Sequence, residues 1–231
     1  MNILLIPGLW LTGDAWRDIE GPLRSRGHHV VALDLPGQGD GNVAATLDDQ
    51  VDAVLRVMDT DPSPWVIVGH SAGSKLGWLC VDRRAGSVER LVCVGGFPGG
   101  ADEPYVGDFV PEEGWVTFPG WSTFEGPDIV DLSPDMRARL ERLFQPVSAL
   151  VTQQVMTFHD PARYDVPVTV VCPEFSSDQA LEWVDAGYLP DVSALRDITY
   201  VDLESGHWPM VSCPERFASC LLEILGADSQ S

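Results

Sequence analysis

The chain has 231 residues, 45% of them apolar and 21% charged, a balance that suits one domain with a sizeable core and argues against global disorder. Its 14 Lys and Arg against 35 Asp and Glu leave a formal charge of −21. So acidic a surface repels phosphate backbones and anionic lipid, so neither nucleic acid nor a membrane is expected as a partner.

Met1-Asn2 leads directly into Ile3-Leu4-Leu5-Ile6 with no basic segment before it, which reads as a buried strand and not a signal peptide. No apolar run is long enough to span a bilayer, so the expected location is cytoplasmic. Further short apolar runs follow at Val30–Leu33, Val66–Val68, Leu91–Val94, Val168–Val171 and Ile198–Val201. Most lack period-2 alternation, the pattern of strands buried on both faces. Helical spacing fills the intervals at Asp14–Arg26, Leu47–Met58, Ala72–Arg84, Gln179–Ala186 and Glu215–Leu225. The alternation predicts an α/β fold, a mostly parallel sheet of roughly six strands with helices on both faces.

Residues 97–165 break this rhythm. They show no clear strand and are rich in Gly, Pro and aromatics, among them Phe109, Trp115, Phe118, Trp121 and Phe124. Ser133-Pro134 opens a helix there, with Ser as cap and Pro in the first turn. The stretch is expected to be a helical lid inserted into a single domain spanning 1–231. The tail Ala227–Ser231 is expected to fray. Five cysteines with no CxxC spacing argue against a disulfide framework and a zinc site. Cys213 and Cys220, placed on one predicted helix, would be about 10 Å apart, too far to bridge. Neither a calcium loop nor a phosphate-binding glycine loop is present, so no metal and no cofactor are expected.

The chemistry concentrates in three places. Gly69-His70-Ser71-Ala72-Gly73 fits G-x-S-x-G, with a strand before it and a helix after it. A serine on such a turn takes a strained backbone, and its hydroxyl projects above the sheet as a candidate nucleophile. Pro7-Gly8-Leu9-Trp10 follows the first strand, where a backbone amide can face that serine; the amides of Leu9 and Ala72 are the candidate oxyanion hole. Ser205-Gly206-His207-Trp208-Pro209 follows the last strand and makes His207 the candidate base.

Together these features resemble the α/β-hydrolase superfamily in a short form beginning at its third strand. Leu33-Asp34-Leu35-Pro36-Gly37-Gln38-Gly39 is similar to that family's D-x-P-G-x-G loop. The spacing resembles the branch of plant methyl esterases and hydroxynitrile lyases. The resemblance implies a carboxylate at the tip of Val168–Val171 or, less often, of Leu91–Val94. The second tip reads Gly95-Gly96-Phe97, with no acid before Asp102. The first reads Cys172-Pro173-Glu174-Phe175-Ser176-Ser177-Asp178, and alignment by eye puts Phe175 where the acid usually stands. Asp178 is placed first, then Glu174 and Asp102; a site without an acid is the remaining alternative.

The leading functional expectation is a serine hydrolase of a small to medium carboxylic ester, lactone or thioester, working through an acyl-enzyme on Ser71. Trp10, His70, Trp121 and Trp208 are expected to touch a small, apolar or aromatic substrate; Trp78 and Trp115 also lie near site elements. Two alternatives stay open. One is a lyase or cyclase using Ser71 and His207 for proton transfer. The other is a ligand-binding protein with a relict site.

Overall fold

The computed structural model describes residues 1–124 and 126–227. The expected fraying past Ala227 lies outside the described residues. In chain order the strands are β1 (Asn2–Ile6), β2 (His29–Ala32), β3 (Trp65–His70), β4 (Val88–Val94), β5 (Trp115–Val116), β6 (Val147–Ser148), β7 (Val168–Cys172) and β8 (Ile198–Asp202). The helices are α1 (Arg17–Ser25), α2 (Leu47–Met58), α3 (Ala72–Arg84), α4 (Pro134–Leu143), α5 (Ala149–Thr152), α6 (Ser177–Asp185), α7 (Pro190–Ser193), α8 (Pro209–Ser212) and α9 (Pro214–Ala227).

Six strands form one parallel sheet in the order β2-β1-β3-β4-β7-β8, while β5 and β6 pair separately and antiparallel. Successive side chains of a strand point to opposite faces, and here both faces are covered. Leu4, Ile6, Ile67, Leu91 and Cys93 pack with Val54 of α2 and with Leu76 and Trp78 of α3. Ile3, Leu5, Val66, Val68 and Val92 pack with Ile19 and Leu23 of α1 and with Phe217 and Leu221 of α9. Two apolar sides leave no polar residues to alternate with, which is why the strands read as unbroken hydrophobic runs.

Local chemistry sets several helix starts. Thr46 and Asp49 form a capping box on α2, and Ser176 and Gln179 form one on α6. Ser133 caps α4 with Pro134 in its first turn, as the sequence predicts. Elsewhere the structure differs from expectation. A 3₁₀ turn at Gly13–Trp16 precedes α1, which therefore starts at Arg17 and not at Asp14. The stretch 97–165 contains strands after all, the two-residue pair β5 and β6. Cys213 lies before α9, so it does not share a helix with Cys220; all five cysteines are free. Strand β7 runs one residue further than predicted, to Cys172.

The chain between β4 and β7 is tied to the sheet layer at both ends. Near β6, the Gln145 amide donates to the Trp10 carbonyl (2.7 Å) and the Ser148 amide to the Gly37 carbonyl (2.7 Å). At the return, the buried carboxylate of Asp82 on α3 accepts the amides of His159 (2.8 Å) and Asp160 (2.9 Å) and pairs with Arg163 (3.3 Å).

Candidate active site

Strand β3 ends at His70 and α3 begins at Ala72, so Ser71 alone makes the turn, with φ 53° and ψ −122°. A non-glycine residue held there costs about 1–3 kcal/mol. The Ser71 amide donates to the Val94 carbonyl at the tip of β4 (2.8 Å), and its carbonyl accepts from Ser74 (2.9 Å). The flanking glycines are sterically required. A Cβ on Gly69 would lie 2.3 Å from the Gly73 carbonyl oxygen, and one on Gly73 would lie 2.8 Å from the carbonyl oxygens of Ile6 and Pro7.

The loop after β1 forms a second strained turn. Leu11 donates to the Gly8 carbonyl (3.1 Å), and Trp10, one of the two central residues, has φ 66°. The indole of Trp10 is held edge-on by Phe109, Phe118, Phe124 and Phe144, at ring separations of 4.9 to 6.3 Å. The buried Gln38 side chain spans the turn, donating to the Gly8 carbonyl (2.9 Å) and also to that of Leu11. Among the described residues the amides of Leu9 and Ala72 have no hydrogen-bond partner, as an oxyanion hole requires. The sequence displays Gln38 inside its loop but offers no sign that its side chain reaches back to this turn.

His207 follows β8, and its amide donates to the Asp128 carbonyl (2.8 Å) in the 3₁₀ turn Gly126–Ile129. Its Nδ1 lies 2.7 Å from Glu174 Oε1, with both side chains largely buried. The carboxylate on His207 is thus Glu174, and the preference for Asp178 is corrected. Asp178 is exposed in the first turn of α6, whose cap is Ser176. Asp102 is exposed on the loop after β4, its amide bonded to the Met156 carbonyl. Phe175 fixes the choice. Its ring packs against Phe97 (5.2 Å) and Trp183 (5.2 Å), and the preceding carboxylate turns toward His207.

Gly96 lies against the Ser71 backbone, and Gly95 lies against His207 and Glu174. A Cβ on Gly96 would touch the Ser71 carbonyl oxygen at 2.8 Å. One on Gly95 would lie 3.1 Å from His207 Nδ1 and 3.2 Å from Glu174 Oε2. Ser71 Oγ makes no hydrogen bond to a described residue; such links are often loose without substrate and tighten when it binds. Burial holds the Asp128 carboxyl above the ordinary carboxylate range; nearby His207 pulls it back and Glu174 pushes it up.

Ser71 opens into a cavity of about 430 Å³, lined in part by Phe97, Tyr105, Tyr188 and Leu189. The expected substrate contacts fall elsewhere. His70 is 1% exposed, and its Nε2 lies 2.7 Å from the His207 carbonyl oxygen. Burial, with the nearby His207 charge, pushes its pKa down to about 3 against the opposing pull of that hydrogen bond, so it stays neutral. Trp10 and Trp208 are buried, and Trp121 is partly so; the three join one aromatic cluster through Phe118, Phe124 and Phe144. That cluster abuts His207, with Trp208 at 4.9 Å and Phe124 at 6.5 Å, but none of its three tryptophans lines the Ser71 cavity. They are corrected from substrate contacts to packing around His207. Trp78 is buried in the core, and Trp115 lies in β5.

A profile of the alpha/beta hydrolase family matches residues 3–219, and the chain belongs to that family. A carbendazim-hydrolyzing esterase of Nocardioides sp. is 30% identical over 118 residues, covering 49% of this chain and 44% of that relative, so the match spans less than half of its length. Solved structures with similar folds include an extracellular alpha/beta-hydrolase from a Paenibacillus species (TM-score 0.79, 18% identity, 96% of this chain and 98% of that one). A pyrethroid hydrolase from Sphingobium faniae superposes with TM-score 0.70 at 18% identity, over 100% of this chain and 99% of that one. Tomato methylketone synthase I, as a variant complexed with beta-ketoheptanoate, gives TM-score 0.72 at 17% identity, over 98% of each chain. No helix among the described residues is long and apolar enough to cross a membrane.

Proposed function

We propose that the chain is a serine hydrolase of carboxylic esters, lactones or thioesters. The observation that carries this reading is the 2.7 Å contact of His207 Nδ1 with Glu174 beside the strained Ser71 turn. Glu174 holds the imidazole in the tautomer whose Nε2 accepts a proton. Ser71 Oγ attacks the carbonyl as His207 takes its proton; the Leu9 and Ala72 amides receive the developing oxyanion. His207 returns the proton to the leaving group, and water then repeats the sequence on the acyl-enzyme. The buried acid partner weighs against the lyase or cyclase alternative, which a missing acid would favour, and the intact Ser71, His207 and elbow glycines weigh against a relict site. The segment 97–165 acts as the lid, and the part of the cavity formed by Phe97, Tyr105, Val106 and Leu189 suits a small apolar or aromatic group beside the scissile bond.

Intact-mass analysis after a fluorophosphonate probe tests this. One adduct on the wild type, absent in Ser71→Ala and slowed in His207→Ala and Glu174→Gln, is the expected result. An unlabelled wild type refutes the acyl-enzyme and turns attention to proton-transfer chemistry.

A further inference from the structure

We propose that Lys75 selects substrates carrying a carboxylate, making this a hydrolase of half-esters or similarly anionic acyl compounds; the inference rests on the hydrolase reading above. Lys75 is the only lysine in the chain, the other 13 cationic side chains being arginines. It lies four residues after Ser71 on α3 and lines the same cavity.

Lys75 Nζ makes one long hydrogen bond, 3.4 Å to the Tyr105 carbonyl, and no ion pair with a described carboxylate. What sets Lys75 apart from the six arginines that pair with a carboxylate, Arg17, Arg24, Arg83, Arg139, Arg163 and Arg196, is its place in the wall of the Ser71 cavity. Asp191, Glu103 and Asp108 share the cavity wall with Lys75, and none of them forms an ion pair with it. Asp191 is engaged by the Tyr164 hydroxyl (2.8 Å) and by Arg163 (3.9 Å). Glu103 and Asp108 are exposed at the rim, where water screens them.

A half-buried ammonium with two donors unused is a ready partner for a substrate anion. Lysine offers a compact point charge and tolerates a range of anion positions, where arginine would impose a planar fork. Four helical residues advance about 6 Å, the span of a spacer of about four methylenes between the scissile carbonyl and the carboxylate.

Monomethyl adipate and methyl hexanoate are matched in acyl length and differ in that charge. Wild type is expected to favour the half-ester by about 10- to 100-fold in kcat/KM, the usual worth of a hydrogen bond to a charged group. Lys75→Met should bring the ratio toward one, and Lys75→Glu should invert it. A wild-type preference under about threefold, or a ratio unmoved in Lys75→Met, overturns the proposal. A second readout needs no turnover: acetylation of the single lysine, followed by peptide mass analysis, should be slowed by adipate and not by hexanamide. If neither ester is cleaved and Ser71 does not take the fluorophosphonate, the hydrolase reading has failed by itself. Lack of adipate protection then refutes the carboxylate site, and protection sustains it as a binding site.

Discussion

Replacing Glu174 by Gln keeps the side chain's shape and removes its charge from the 2.7 Å contact with His207. In the proposed mechanism His207 carries the proton while Ser71 attacks, and the centres of the imidazolium and carboxylate charges lie about 4 Å apart. At an effective dielectric of about 20, suited to a partly buried pair, their attraction is about 4 kcal/mol. With each 1.36 kcal/mol worth a factor of ten, kcat should fall by about 10³. The amide can also turn its NH₂ toward Nδ1 and favour the wrong tautomer, which adds to the loss. The assay is steady-state hydrolysis of an activated ester, with titration of labelled Ser71 to count competent sites. Asp178→Asn, in an exposed first helical turn, should stay within about twofold of wild type. A Glu174→Gln enzyme within tenfold of wild type, or one less impaired than Asp178→Asn, would refute this reasoning.

Three further outcomes follow from the geometry. Gln38→Leu leaves the Gly8–Leu11 turn without its side-chain clamp, so kcat should fall about 10- to 100-fold with little change in KM. Affinity for a trifluoromethyl ketone should fall in parallel, whereas a purely structural role would lower the unfolding midpoint and spare both. Gly95→Ala forces a left-handed alanine at φ 59° and drives its Cβ toward His207 and Glu174; fluorophosphonate labelling should slow more than 100-fold, and stability should drop by at least about 1–2 kcal/mol in urea unfolding. For His70, the folded pKa of about 3 lies below the unfolded value of about 6.5, so the unfolded chain binds the extra proton between them. Its stabilising effect is complete above pH 6.5 and is lost as pH falls toward 3, at up to about 1.4 kcal/mol per unit. His70→Gln should flatten that part of the profile of unfolding free energy against pH.

The parts of the site legible in the sequence are those encoded by neighbours along the chain. Ser71 announces itself because the strand, the two glycines and the helix that strain its backbone are contiguous with it. His207 is found from its place after the last strand. The acid depends on a rotation of one residue at a strand tip. Strand β7 ends at Cys172, and Phe175 is drawn into an aromatic contact with Phe97, almost eighty residues earlier; no local pattern records that pull. The tryptophans mislead for a related reason. Proximity to site elements is real, but Trp10 and Trp208 face inward because Phe118, Phe124 and Phe144, supplied by a distant segment, close over them. Gln38 is silent for the same cause: its partners lie 27 and 30 residues away. The parallel sheet of about six strands is readable because its inner strands are apolar on both faces, whereas the two-residue strands β5 and β6 are too short to leave a periodicity.

The crowding at Gly95 bears on how such an enzyme can change over generations. The family resemblance allows an acid at either of two strand tips, β4 or β7. Here position 95 at the β4 tip is tight while Glu174 occupies the other: a first carbon on residue 95 would lie 3.1 Å from His207 Nδ1 and 3.2 to 3.3 Å from the two oxygens of Glu174. A carboxylate gained at position 95 before Glu174 is lost would set two like charges against one imidazole. Loss of Glu174 first would leave His207 Nδ1 without its carboxylate partner. A change at either position alone therefore disturbs the His207–Glu174 contact, and moving the acid to the β4 tip would require both positions to change.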